Sequence, residues 1–150
     1  MVYDSVSAAK LTEKVAEVIA KALKDRGMEV TSVPVGDAKH LKIEEYDALL
    51  VGTPTMAWAP TKPVKEFLDT LDAGKVKGKM AASFDTQMRS FISGNANKAM
   101  EGKLKEKGFT IACPHLLAYV KSEKKAYHLL DGELKKAEEW ANKLADSLAK

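Results

Sequence analysis

The stretch VGTPTMAWAPTKPVKEFL, Val51 to Leu68, decides the fold. It is preceded by Ala48-Leu49-Leu50, so a short apolar run, Ala48 to Val51, lies between Asp47 and Gly52. Such a run reads as a strand buried on both faces, as in a parallel sheet. Thr53-Pro54-Thr55 then places two hydroxyls around a proline, with Met56 and Trp58 on a following loop. Pro60 and Pro63 forbid a regular helix before about Pro63, which is suited to a first helical position. Val64, Phe67, Leu68 and Leu71 recur from there at helical spacing. A strand that empties into a polar loop carrying a tryptophan is where α/β proteins place a ligand.

Gly52-Thr53-Pro54-Thr55, Trp58 and Pro63-Val64-Lys65-Glu66-Phe67-Leu68 together resemble the flavodoxin family. Its members carry a G-[ST]-P-T strand exit, an aromatic a few positions on, and a similar helix start. The resemblance implies that this loop covers one face of the isoalloxazine ring of FMN. Thr53, Pro54, Thr55, Met56 and Trp58 would then contact the ring from that side.

Upstream, Met1-Val2-Tyr3-Asp4 is a short candidate first strand, clipped relative to family members. A hydroxyl-rich loop, Ser5 to Thr12, follows it. Leu11, Val15, Val18, Ile19, Ala22 and Leu23 then mark one face of a helix that Gly27 stops. Strand, loop and helix start form a phosphate-binding geometry, because backbone N–H groups and the positive helix end converge there. Thr12-Glu13-Lys14-Val15-Ala16-Glu17-Val18-Ile19-Ala20 is similar to the first helix of flavodoxins. The resemblance assigns the phosphate to Ser5, Ser7, Ala8 and Thr12. The loop departs from the family in lacking glycine, whose freedom at positive φ helps N–H groups converge on an anion. It is also longer, nearer to the loop of FMN-dependent reductases. Lys10 is expected to compensate as a direct cation, and an ordinary helix cap by Ser7 is the competing reading.

Downstream, Met28 to Val33 alternates as a half-buried strand, and Asp37 to Leu41 reads as a short helical turn. Gly74 and Gly78 bracket a basic loop after the helix through Leu71. Met80 to Phe84 is the next buried strand, with Asp85-Thr86-Gln87-Met88-Arg89 as its exit loop. The resemblance makes Asp85, Thr86 and Gln87 a second set of flavin contacts, and capping of the loop is the other reading of Asp85. A helix runs from about Asn95 to Lys107 and stops at Gly108. Phe109 to Cys113 is the last strand, broken by Pro114, with Leu116 to Val120 as its continuation. Lys121 to Asp131 reads as an exposed loop. Leu134, Ala137, Trp140, Ala141, Leu144 and Leu148 form a final amphipathic helix with Trp140 in the core.

Five strands alternating with helices predict an α/β three-layer sandwich around a parallel sheet. The order 2-1-3-4-5 comes with the family resemblance and not from periodicity. A length of 150 residues fits one domain, residues 1–150, large enough to bury its own core. The composition, 45% hydrophobic and 30% charged, belongs to the globular class. No apolar run approaches the roughly 20 residues of a membrane span, and the start has no secretory pattern. The one cysteine, Cys113, excludes a disulfide framework, agrees with a reducing cytoplasm, and reads as inert core. His40, His115 and His128 do not fall at metal-ligand spacing, so no metal is expected. Net charge is +3, with lysines interleaved among glutamates, which does not form a nucleic-acid stripe.

The expected function is FMN binding with electron transfer between redox partner proteins, as a monomer or homodimer, with no catalytic residues of its own. An FMN-dependent reductase of quinones is the first alternative, favoured by the longer loop. A flavodoxin-fold binding module without FMN is the second, favoured by the missing glycine.

Overall fold

The computed structural model describes residues 1–5, 10–55, 59–88, 96–124 and 126–149. Its frame is one sheet. Strand β1 (Val2–Tyr3) lies between β2 (Val33–Pro34) and β3 (Ala48–Pro54), parallel to both. β3 pairs in parallel with β4 (Met80–Met88) along its whole length, from Ala48 opposite Met80 to Pro54 opposite Thr86. β4 is flanked in turn by β5 (Thr110–Ile111) and, further along, by β6 (Leu116–Glu123). β7 (Ala126–Leu129) closes the edge antiparallel to β6. The order is β2-β1-β3-β4-β6-β7, with β5 paired to β4.

The first four positions follow the expected 2-1-3-4, and the fifth is split. Pro114 interrupts the ladder, so β5 and β6 occupy successive stretches of the same edge of β4. The hairpin is a correction, because residues 121 to 131 were expected as an exposed loop. Their polarity is that of a solvated edge ribbon. β2 is also shorter than expected and shifted, since of Met28 to Val33 only Val33 pairs with β1, followed by Pro34.

Helices cover both faces. α1 (Leu11–Asp25) and α5 (Glu133–Leu148) pack on one, burying Val15, Ile19, Ala137, Trp140 and Leu144 against Leu50, Ala82 and Phe84. α2 (Lys62–Asp69), the short α3 (Ala73–Val76) and α4 (Ala96–Glu106) pack on the other, burying Val64, Leu68, Val76, Met100 and Leu104 against Val51 and Ala81. The basic loop expected between Gly74 and Gly78 is partly helical, because Asp72 accepts a hydrogen bond from the Gly74 N–H and starts α3. Leu134, expected on the buried face of α5, is 40% exposed. α1 stops at Gly27, at φ +85°, where a side chain would be strained.

One close approach sets the centre of the sheet. Gly52 lies opposite Phe84, and a Cβ on Gly52 would come within 2.1 Å of the Phe84 ring. The ring uses that space and packs against Trp140, centroids 6.3 Å apart at 60°. Trp140 Nε1 donates to the Pro114 carbonyl at 2.7 Å, which satisfies the one polar atom of a buried side chain.

Candidate functional site

Chain direction places the segments that follow β1, β3 and β4 at the same end of the sheet, at its carboxyl edge. The strand order reverses between β1 and β3 there, which is the position where open α/β sheets bind ligands. Ser7, Ala8, Met56 and Trp58, expected to hold the phosphate and the ring, lie outside the described residues. Their flanking residues are described, and these form three ties.

The first tie joins the phosphate-side helix to β4. Thr12, in the first turn of α1, places its Oγ1 2.8 Å from Thr86 Oγ1, with both side chains buried. The second joins β1 to α2. Asp4 accepts the Thr61 hydroxyl at 2.6 Å and the Ser5 N–H at 2.9 Å, and Thr53 Oγ1 accepts the Thr61 N–H at 3.1 Å. Thr61 stands at the N-cap of α2 but gives its side chain to Asp4 instead of to the helix.

The third tie centres on a buried carboxyl. Thr55 Oγ1 accepts the Ala96 N–H at the start of α4 (3.2 Å) and donates to Asp85 Oδ2 at 2.6 Å. Gln87 Nε2 donates to the same oxygen at 2.9 Å. Asp85 is fully buried, and among the described residues its Oδ1 has no hydrogen-bond partner. Burial pushes the carboxyl above the ordinary carboxylate range. The bonds from Thr55 and Gln87, the Ala96 N–H and the His115 imidazole pull it back without cancelling the rise.

These ties change the roles read from sequence. Asp85, Thr86 and Gln87 are not on a loop; they belong to β4, which runs on to Met88. Sequence reading ended the strand at Phe84 because three polar residues in a central strand look like a strand exit. Each instead has a partner: alternation turns Thr86 toward α1, and Asp85 and Gln87 toward α4. Thr53 spends its hydroxyl on the Thr61 N–H and the Pro54 carbonyl. Asp4 and Thr61 were missed, because their contact spans 57 positions and no local spacing signals it.

At the phosphate side, Lys10 is the N-cap of α1 and is exposed, with φ 50° and ψ 49°. The positive φ that a glycine normally supplies is therefore present, adopted by lysine. Lys10 makes no side-chain cap bond, and Ser5 Oγ reaches only the Glu13 N–H, at 3.4 Å. The acid in this first turn, Glu13, is turned to the Tyr3 hydroxyl at 3.0 Å, and burial together with Glu13 pushes that phenol up to about 12. A 15-residue helix whose N-cap lysine makes no side-chain cap bond has donors and charge suited to a phosphate monoester. The residues present therefore fit the phosphate end of FMN.

A family model described as Flavodoxin matches residues 3–131. The chain belongs to the flavodoxin family. Among solved structures it is similar to a flavodoxin from the domain Archaea, with TM-score 0.80 and 22% identity over 99% of this chain and 98% of that one. Oxidised flavodoxin 1 from Bacillus cereus superimposes with TM-score 0.80 and 23% identity, covering 97% of this chain and 95% of the other. Two-electron reduced Megasphaera elsdenii flavodoxin gives TM-score 0.69 and 24% identity over 97% and 99%. No curated protein matches the sequence. The flavodoxin fold is thus kept at low identity.

Elsewhere the described residues are chemically quiet. Cys113 is half-buried, and burial and then Glu101 push its thiol up, away from a reactive thiolate. Among the described residues no three His, Cys, Asp or Glu gather to hold a metal, and no helix is long and apolar enough to cross a membrane.

Proposed function

We propose that this flavodoxin-family protein binds FMN at the carboxyl edge of its sheet and carries electrons between redox partners. The observation that carries the reading is the phosphate-side start of α1: capped by no side-chain bond from Lys10, at positive φ on that residue, and pinned to β4 through Thr12 and Thr86. The flavin, when bound, supplies the one- and two-electron chemistry. The chain's residues orient it. Lys10 and the first-turn N–H groups of α1 neutralise the phosphate, and Asp4 with Thr61 fixes the β1 exit against α2. Thr55, Asp85 and Gln87 fix the spacing between the exits of β3 and β4, the two segments that face the ring in the family. Trp58 is the aromatic expected to stack on it.

Titration of the flavin-free protein with FMN, followed by visible absorption and quenching of flavin fluorescence, tests the reading. Saturable binding with a perturbed flavin band is expected. A free-flavin spectrum at every protein concentration would rule FMN out.

A further inference from the structure

The β6–β7 hairpin lies outside the residues assigned above to the flavin. Register fixes its position: β6 runs parallel to β4, and Val120 lies opposite Met88, the last residue of β4. Lys121, Ser122 and Glu123 therefore continue past the end of β4, and β7 returns from Ala126. The hairpin overhangs the same edge of the sheet as the candidate flavin site.

Its chemistry is that of a contact surface. Among the described residues, Lys121 and Lys124 stand at the turn end of β6 with a single acid, Glu123. Glu123 lies 3.5 Å from Lys121, with both side chains about half exposed, so solvent weakens the pair. Lys124 turns the chain at φ 49° and is exposed. Tyr127 is 48% exposed and Met88 40%, and strand alternation sets both on one face of the sheet. Lys121 lies on the opposite face of the ribbon, and Lys124 stands at its turn, so the projecting hairpin offers an apolar pair on one face and positive charge at its tip and on the other.

Lysines near a sheet edge often serve only to block strand pairing. That use needs charge on the edge strand itself. Here β7 reads Ala-Tyr-His-Leu and has no lysine; the cations lie on β6 and the turn. Net charge is +3, so an anionic partner is attracted from a distance and a cationic one repelled.

We propose that this hairpin docks a small acidic electron-transfer protein. The redox character of the partner rests on the FMN reading; the charge and position of the surface do not. The test uses isotope-labelled protein, with and without FMN, titrated with an acidic [2Fe–2S] ferredoxin and with a basic c-type cytochrome, while amide resonances are followed. Flavin loading is read from visible absorption of the same samples. The ferredoxin is expected to shift the amides of residues 120–129 at low salt. Raising salt to about 0.5 M, where charges are screened within a few ångströms, should abolish the shifts. The double variant Lys121→Gln, Lys124→Gly keeps the turn, since glycine accepts positive φ. It should weaken ferredoxin binding about tenfold and leave flavin loading unchanged. Shifts confined to other surfaces, stronger binding of the cytochrome, or unchanged affinity in the double variant would each overturn the proposal. So would hairpin shifts with anionic phosphatidylserine vesicles but not with ferredoxin. A protein that takes up no FMN yet shows the ferredoxin-dependent hairpin shifts would defeat the flavin reading and leave the docking surface standing.

Discussion

A fully buried carboxyl costs stability whenever it is ionised, and Asp85 is such a group, with one oxygen unpartnered among the described residues. Its folded pKa is raised by burial. The sign follows: the folded state binds the proton more tightly than the unfolded chain does. The favourable contribution is therefore full below the unfolded carboxylate range and is lost as pH rises through the raised folded value. Asp85→Asn preserves an acceptor for Thr55 and Gln87 and removes the negative charge that burial penalises. At pH 7 the variant should be more stable by about 1–2 kcal/mol, because the parent must bury a charge there and the amide does not. In melting temperature that is a rise of roughly 2–8 °C for a chain of this size. The advantage should shrink steadily as pH falls toward 4. Thermal melts of both proteins across that range check it, and a variant less stable than the parent at pH 7 would mean that the ionised carboxylate is a net stabilising partner. The sequence offered little of this. Asp85 was legible as an acid near the site, but its burial depends on Ala96, 11 positions on, and on Thr55, 30 positions back.

At the scale of elements, strands with apolar runs were legible and polar ones were not. Ala48 to Val51 and Met80 to Phe84 stand out because they are buried on both faces. The second half of β4 and the hairpin were read as loops, since in both cases the partners that satisfy or solvate the polar side chains are distant in sequence. The start of α1 was legible in position, while its backbone was not: a lysine at positive φ carries no sequence signal. Gly52 is the element-scale constraint that can be tested. It was read only as the end of a strand, yet β3 continues through it to Pro54, and its missing side chain admits the Phe84 ring. Gly52→Ala should force the ring off Trp140 and cost about 3 kcal/mol, as overpacking a dense core does. Phe84→Leu in the same chain should recover part of the loss, because the two substitutions act on one contact. Chemical denaturation of the two singles and the double measures the coupling; strict additivity would show that Phe84 does not limit position 52.

For the whole molecule, the consequence of the site is linkage between ligand and fold. A ligand held only by the folded state raises its apparent stability by an amount set by concentration over Kd. FMN should therefore raise the melting temperature, and riboflavin, which lacks the phosphate, should raise it less. The difference between them isolates the phosphate end, where Lys10 is an exposed point cation. Exposed charges are screened over about 10 Å at 0.1 M salt, so the FMN advantage should fall as salt rises while the riboflavin shift stays level. Lys10→Gly separates charge from backbone at that position. Glycine relieves a left-handed conformation that costs an ordinary residue about 1–2 kcal/mol, partly offset by its own greater freedom when unfolded. The flavin-free variant should thus melt at the same temperature as the parent or slightly higher. Its FMN advantage over riboflavin should be smaller and should no longer depend on salt. The opposing directions make the outcome specific: a variant that loses stability without ligand would place Lys10 in the fold, and one that keeps the full salt-dependent FMN shift would leave the phosphate to the α1 N–H groups alone.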